Sequence, residues 1–249
     1  MIVLPTKTAL SLEGANEKRS VSVDGKLALV KKPIQENCYD TWVELMVYRV
    51  AQFLGVPCCE AGMLNSVESY SVVDRSVRTN LVEAGEFLNL SSDKFTDVLE
   101  TMQKSRIGDC VIEAYLRQTL FDLLTRQLDR NLTNFSFVKS SVVSLYPLYD
   151  NGLALFSTTT VADALEFRSV VGDVSTGVLN ALVEVASDRD LGYYDLIKNK
   201  LTAGVLSELW GDCPEVFVNG NKKEDLICWV IRQQDTLMTA FSTRTMDLF

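Results

Sequence analysis

Apolar and polar positions alternate with two different periods along this chain, and the changes of period predict the order of its elements. Short apolar runs from about residue 2 to 32 and an alternating stretch at 67–73 are typical of strands in half-buried sheets. Elsewhere apolar residues recur every three or four positions, which is the period of an amphipathic helix. The predicted helices span residues 41–54, 110–127, 191–206 and 223–238. This order predicts an α+β fold.

Composition describes a compact acidic protein. A chain of 249 residues, of which 47% are hydrophobic, is long enough to bury one large core or two lobes. The net charge of −9 disfavours binding to nucleic acid or to an anionic membrane, because both need clustered Lys and Arg. Neither a membrane-spanning apolar run nor a signal-peptide pattern is found, so a cytoplasmic location is expected.

The chain contains no histidine and six scattered cysteines, and this limits the kinds of catalytic and metal site that it can form. Without histidine, a histidine-based catalytic triad is excluded. The cysteines form no Cys-x-x-Cys pair, so neither a zinc site nor a disulfide framework is expected.

The stretch 121–152 spaces two carboxylates and an amide as phosphoryl transfer requires. That reaction needs one carboxylate beside the attacking hydroxyl and a set of oxygen ligands for Mg²⁺ on the ATP phosphates. Asp129 suits the first role, and Asn134 and Asp150, which precedes a turn-prone Asn-Gly pair, suit the second. A polar loop and a simple hairpin turn are the alternative interpretation, because short motifs recur by chance.

A lysine and a glutamate in the first part of the chain add the groups with which a kinase holds phosphate. Lys31 ends a predicted strand, and Glu44 lies near the start of the helix predicted at 41–54. Such a pair orders the lysine toward the nucleotide phosphates. Lys32 is the adjacent alternative, but it should point to the opposite face of the strand. Surface helices and strand ends carry such residues routinely, so it is the order Lys, Glu, Asp, Asn, Asp that favours a kinase.

With these motifs, residues 11 to 156 resemble the HipA-like serine/threonine kinases, and in particular their short single-domain, CtkA-like members. The residues that are similar to the family's phosphate-facing loop are Gly14, Ala15, Asn16 and Lys18. By the same resemblance, Lys31 and Glu44 match the nucleotide lysine and its helix glutamate, Asp129 the acidic base, and Asn134 and Asp150 the metal ligands.

The resemblance implies a bilobal protein-kinase-like fold. A small β-rich N-lobe with one main helix is expected at residues 1–85, and a larger, mostly helical C-lobe at 86–249. The stretch 79–87 is expected to carry the hinge whose backbone binds adenine. ATP and Mg²⁺ are the implied cofactors, and the implied substrate is a protein with a Ser or Thr acceptor, with autophosphorylation also expected. A regulatory or antitoxin-like protein partner is a further expectation.

Two positions depart from the family pattern. Glu17 stands where the family has the second glycine of the phosphate-facing loop, and Asn131 stands where it has a histidine. Glu17 places bulk and negative charge where an anion binds. This favours, as an alternative, a noncatalytic nucleotide-binding pseudokinase or a partner-binding module. A lipid or small-molecule kinase is a further alternative, since phosphoinositide kinases have a similar loop. Asp122, in the helix predicted at 110–127, is expected to have a structural role such as a hydrogen bond to the loop backbone.

Overall fold

Strands and helices follow one another in the computed structural model of the chain much as the periodicity predicts. A small sheet and one long helix come first, and a mostly helical region follows. The structure describes residues 18–72, 80–105, 107–127, 129–161, 168–186, 197 and 200–246.

Four antiparallel strands form the N-terminal sheet: β1, Lys18–Val23; β2, Lys26–Lys31; β3, Ala61–Met63; and β4, Ser69–Val72. Their order across the sheet is β1-β2-β4-β3. The hairpin between β1 and β2 turns at Asp24 and Gly25, whose φ angles of 49° and 79° are the left-handed values that a two-residue hairpin requires. The helix α1, Asp40–Leu54, packs against β3 and β4.

The strand register divides the side chains of this sheet between two faces. One face carries a small apolar cluster of Val21, Ala28 and Val30. The other face carries the pairs Lys31 with Ser69 and Leu29 with Ser71, which lie opposite each other on β2 and β4. Because Lys31 contacts α1, this second face is the one that faces the interior between sheet and helix.

A second antiparallel sheet follows, in the order β5-β6-β7, with strands β5, Leu81–Glu83, β6, Ser136–Val138, and β7, Ser144–Leu145. The helices around it are α2, Ala84–Leu88; α3, Phe95–Lys104; α4, Asp109–Thr125; α5, Arg168–Val185; α6, Ala203–Leu209; and α7, Lys223–Met246. The largest apolar core lies among α1, α4, α6 and α7 and includes the fully buried Trp210 and Phe121.

α1 is attached to the C-terminal helices as well as to the sheet. The indole Nε1 of Trp210 donates to the carbonyl oxygen of Met46 at 3.2 Å. The guanidinium of Arg49 donates to the carbonyl oxygen of Leu209 at 2.9 Å and binds both carboxylate oxygens of Asp212. These contacts fix the position of α1, and therefore of any functional side chain that it carries.

The predicted α+β fold class is confirmed, as are its main elements. The helix predicted at 41–54 is α1, the helix predicted at 110–127 is α4, and the helix predicted at 223–238 extends further, to Met246. The alternating stretch 67–73 contains β4. Of the strands predicted from 2 to 32, the structure describes β1 and β2, and residues 2–17 lie outside the described residues.

The structure tests the remaining predictions only in part. Half of the helix predicted at 191–206 lies outside the described residues, and the prediction of one continuous helix is wrong, because Leu201 and Thr202 are not helical and α6 begins only at Ala203. The boundary expected between residues 85 and 86 falls within α2 and stays a prediction. All six cysteines are free thiols. In the ranges that the structure describes, no helix has both the length and the apolar character that crossing a membrane requires.

Candidate active site

Lys31 lies at the end of β2 between two carboxylates. Its Nζ is 2.5 Å from Oε1 of Glu44 and 2.6 Å from Oδ1 of Asp150. The side chains of Lys31 and Glu44 are only 7% and 2% exposed, whereas that of Asp150 is 31% exposed. Burial alone would lower the pKa of Lys31, but the two carboxylates outweigh it and raise this pKa above its ordinary value. The lysine is therefore a fixed cation at neutral pH.

Glu44 binds two separate parts of the chain through its two carboxylate oxygens. Oε1 accepts from Lys31, and Oε2 accepts from the backbone N–H of Asn151 at 3.0 Å. Gly152 permits this close approach, because a Cβ there would lie 3.3 Å from both the Cβ and the carbonyl oxygen of Asp40. The start of α1 is thus packed directly against the segment that carries Asp150.

Asp150 adopts a left-handed backbone conformation, with a φ of 54°. Aspartate tolerates this region better than most residues do, because its short polar side chain bonds locally. The carbonyl oxygen of Asp150 accepts a hydrogen bond from Nε2 of Gln127 at 3.0 Å, which holds the turn. The conformation directs the carboxylate toward Lys31 and leaves part of it open to solvent.

Asp129 is held by two side-chain amides of its own loop. Nδ2 of Asn131 donates to its Oδ1 at 2.9 Å, and Nδ2 of Asn134 donates to its Oδ2 at 2.9 Å. The loop is closed further by the side chain of Asn131, whose Oδ1 accepts from the backbone N–H of Thr133 at 2.9 Å. Asn131 therefore orients the acidic side chain in the position where the resembling family has histidine.

Arg130 joins the Asp129 loop to the Asp150 segment. Its guanidinium donates to both carboxylate oxygens of Asp122 at 3.0 Å. It also donates to the carbonyl oxygens of Asn134 and Tyr149 at 2.8 Å each, and to Oδ1 of Asn151 at 2.7 Å. Burial would lower the pKa of Arg130, but the Asp122 carboxylate outweighs it and raises this pKa. One buried cation thus fixes both parts of the site relative to α4.

Tyr149 makes a second link between the same two segments. Its hydroxyl donates to the carbonyl oxygen of Thr133 at 2.9 Å and lies 2.9 Å from Oγ of Ser136. Burial raises the pKa of Tyr149 to about 12, so the phenol remains protonated and able to donate at neutral pH. The relative position of the two segments is therefore specified by several independent hydrogen bonds.

The structure brings the predicted site residues into two connected groups. The first group is Lys31, Glu44 and Asp150, and the second is Asp129 with Asn134. Of the predicted phosphate loop, Gly14, Ala15 and Asn16 lie outside the described residues, and Lys18 is the first residue of β1, paired in register with Lys31. Within the expected hinge, Leu81–Glu83 pairs with β6. Adenine binding by that stretch stays a prediction.

Two side chains have the donor chemistry of a Mg²⁺ site. Asp150 offers a partly exposed carboxylate. The amide nitrogen of Asn134 donates to Asp129, and no described residue donates to the amide oxygen Oδ1 of Asn134. Mg²⁺ prefers such oxygen ligands and usually retains water or phosphate oxygens in the remaining positions. Among the described residues no cluster of three or more Cys, Asp and Glu side chains is suited to a metal. The carboxylate of Asp150 and the amide oxygen of Asn134 are of the donor type that Mg²⁺ binds.

Sequence reasoning did not identify Arg130 as part of the site. Asp122 has a structural role, as expected, but the partner of its carboxylate is the guanidinium of Arg130, where a loop backbone group was the example given. The sequence did contain a signal for this ion pair. Asp122 lies in the buried part of an amphipathic helix, and a buried carboxylate needs a partner such as the nearby Arg130.

Comparison with known proteins identifies a family and a number of similar solved structures. The family model for the HipA-like C-terminal domain matches residues 10–187, which is more than half of the chain. No curated protein matches the sequence.

Among solved structures, the chain is similar to the proinflammatory kinase CtkA of Helicobacter pylori, with a TM-score of 0.72 and 16% identity over 98% of this chain and 96% of that chain. A chain from the Shewanella oneidensis MR-1 toxin–antitoxin complex of HipA, HipB and operator DNA matches with a TM-score of 0.49 and 15% identity, over 98% of this chain and 67% of that chain. At this identity, the likeness to CtkA shows a shared fold.

Proposed function

Because this chain belongs to the HipA-like C-terminal domain family, we propose that it transfers the γ-phosphoryl group of Mg-ATP to a Ser or Thr hydroxyl of a protein, including its own chain. The observation that carries the proposal is the buried Lys31, bound to both Glu44 and Asp150 in a fold shared with the CtkA kinase. Positioning and charge neutralisation account for most catalysis of phosphoryl transfer, and both are features of this geometry.

Lys31 is the residue that contacts the nucleotide phosphates in this proposal. Glu44 keeps its ammonium group in place, because α1 is fixed on one side by the sheet and on the other by Trp210. A lysine with a raised pKa remains charged throughout the physiological range and so offers a permanent cation to the anionic phosphates. The loop at Gly14, Ala15, Asn16 and Lys18 is proposed to cover the phosphates from the other side.

Asp129 orients the acceptor hydroxyl and receives its proton. Asn131 and Asn134 hold the two carboxylate oxygens, so the side chain is oriented before substrate binds. Asp150 and the amide oxygen of Asn134 are the proposed metal ligands. Bound Mg²⁺ would neutralise charge on the phosphates and align them for in-line transfer.

The acidic composition of the chain bears on its choice of substrate. The net charge of −9 suits a neutral or basic protein better than an acidic one, and better than a lipid head group. We further propose that residues 1–85 and 86–249 act as the two lobes, with the nucleotide between them. A regulatory or antitoxin-like partner stays a prediction.

Labelled ATP tests the reaction directly. The purified chain is incubated with Mg²⁺ and γ-labelled ATP, with a basic protein and phosphoinositide vesicles as separate acceptors, and the same mixtures with EDTA serve as controls. We expect label on Ser or Thr of protein, none on lipid and none with EDTA. Label on lipid would identify a lipid kinase instead. An ATP-dependent rise in melting temperature without any transfer would identify a pseudokinase, the alternative that Glu17 favours.

Arg130→Lys is expected to lower the rate of phosphoryl transfer by about 10- to 100-fold, the usual cost of losing a group that orients functional side chains. Lysine keeps the positive charge, but it lacks the planar fork that reaches Asp122, Asn134, Tyr149 and Asn151 together. The measurement is the initial transfer rate, with the melting temperature recorded for each variant. Arg19→Lys, at a half-exposed ion pair with Glu68, is the matched control. A folded Arg130→Lys variant with the wild-type rate would contradict the positioning role.

A further inference from the structure

A cavity of about 350 Å³ lies between the two sheets, and the proposed reaction does not use it. Its first wall belongs to the N-terminal sheet, with Cys59 and Glu60 just before β3 and Val72 at the end of β4. Its second wall belongs to the second sheet, with Val138 of β6 and residues 144–147 in and after β7. It is called the inter-sheet cavity below.

The inter-sheet cavity lies on the face of the N-terminal sheet opposite to that of Lys31. Val72 is paired in register with Ala28 and packs against the apolar cluster of Val21, Ala28 and Val30. Opposite residues in antiparallel strands point to the same face, and Lys31, three positions after Ala28, points to the other face. The cavity is therefore separate from the site proposed for the nucleotide phosphates.

Backbone hydrogen bonds fix the walls of this cavity. The N–H of Cys59 donates to the carbonyl oxygen of Leu148 at 2.8 Å, and the N–H of Leu148 donates to that of Pro57 at 3.0 Å. The N–H of Val72 donates to the carbonyl oxygen of Glu60 at 2.7 Å. A cavity with fixed walls is formed before a ligand arrives, so little binding free energy is lost in reorganising the protein.

The size and the lining of the cavity indicate a small ligand with an apolar body. At the roughly 30 Å³ that a water molecule takes up in the liquid, the volume admits about a dozen non-hydrogen atoms. Half of the lining residues that the structure describes are aliphatic, namely Val72, Val138, Leu145 and Pro147. Ligand sites combine such apolar walls with a few polar groups that fix the orientation of the ligand.

Glu60 is the one charged residue in the lining that the structure describes. Its Oε2 is 2.6 Å from Nζ of Lys26, and no described residue donates to its Oε1. The side chains of Lys26 and Glu60 are 58% and 42% exposed, so this ion pair contributes little stability, and a carboxylate can accept from a second donor. The net charge of −9 also favours a cationic ligand over an anionic one.

We propose that the inter-sheet cavity binds a small primary amine with an apolar body, whose ammonium group binds the carboxylate of Glu60. The body of the ligand lies between the aliphatic side chains of the two walls and is removed from water there. The ammonium group makes a charge-assisted hydrogen bond, which is stronger than a bond between neutral groups. An acid of the same size is repelled by Glu60, and a neutral molecule makes only the apolar contacts.

Tryptamine is the probe, because its indole ring and ethylammonium arm match the size that the cavity admits. It is compared with two molecules of the same ring, the neutral 3-ethylindole and the anionic indole-3-propionate. Dissociation constants are measured by ligand-observed NMR titration of the full chain without nucleotide. We expect tryptamine to bind at least about fivefold more tightly than 3-ethylindole, and indole-3-propionate to bind most weakly.

Three variants locate the bound amine. Ser144→Trp adds bulk to the cavity from an exposed position of β7 and is expected to weaken tryptamine binding by about tenfold or more. Ser140→Trp is its control, because Ser140 is exposed in the same hairpin and does not line the cavity. Glu60→Gln is expected to lower the affinity for tryptamine to that for 3-ethylindole.

Each outcome decides the proposal. It is overturned if the wild type shows no saturable binding of tryptamine, or if Ser144→Trp binds tryptamine as tightly as Ser140→Trp does, because the amine then lies elsewhere. Equal affinity of the wild type and Glu60→Gln for tryptamine also overturns it. If melting temperatures show that Ser144→Trp does not fold, the comparison of Glu60→Gln with the wild type remains decisive. The titrations contain no nucleotide, so their results are independent of the proposed phosphoryl transfer.

Discussion

Asp129→Asn is expected to lower the rate of phosphoryl transfer by about 10²- to 10⁴-fold, the usual contribution of a positioned general base. Mg-ATP binding should change little, because Asp129 is proposed to contact the acceptor hydroxyl and not the nucleotide. Asparagine has nearly the same shape as aspartate, so we expect the loop to keep its fold. Its NH₂ group would meet the donating amide of either Asn131 or Asn134, so one of these two hydrogen bonds would be lost.

The measurement pairs the transfer rate with the ATP-induced shift of the melting temperature. Asp235→Asn, on an exposed position of α7, is the matched control for the loss of one carboxylate. Transfer by Asp129→Asn at the control's rate would exclude Asp129 as the base. Loss of both transfer and nucleotide binding would instead place Asp129 in the nucleotide subsite.

Local pattern was sufficient to predict which lysine faces the site. Lys31 and Lys32 are adjacent, and the alternation along a strand allows only one of them to face α1. The structure buries Lys31 against Glu44 and leaves Lys32 exposed. The helix that carries Glu44 was equally accessible to sequence reasoning, because its apolar period continues without a break to the left-handed Gly55.

Contacts between distant segments were not predictable in the same way. Arg49 binds Asp212 across 163 positions of sequence, and neither residue differs in its local pattern from an ordinary surface charge. The role of Arg130 depends likewise on how the Asp150 segment packs against the Asp129 loop. Periodicity specifies which face of an element is buried, but it does not specify which other element covers that face.

The conformation of Asp150 determines how its role is best tested. With a φ of 54°, alanine at this position would add strain of about 1–2 kcal/mol, whereas asparagine tolerates the left-handed region. Asp150→Asn therefore removes the charge with the least change in the backbone. It removes one of the two carboxylates that bind Lys31, but Glu44 remains to hold the ammonium group in place.

Asp150→Asn is expected to lower the transfer rate by at least about 10²-fold, since a charged ligand at the transferring phosphate contributes to the electrostatic stabilisation that dominates this reaction. In contrast to Asp129→Asn, it should also abolish the dependence of ATP affinity on Mg²⁺. The measurement is a titration of ATP binding with and without Mg²⁺. Asp24→Asn, at an exposed hairpin position with a φ of 49°, controls for the same substitution in the same backbone region. Asp129→Asn and Asp150→Asn are expected to differ in this titration. If Mg²⁺ changes the ATP affinity of both variants equally, the assignment of Asp129 as the base and of Asp150 as a metal ligand is contradicted.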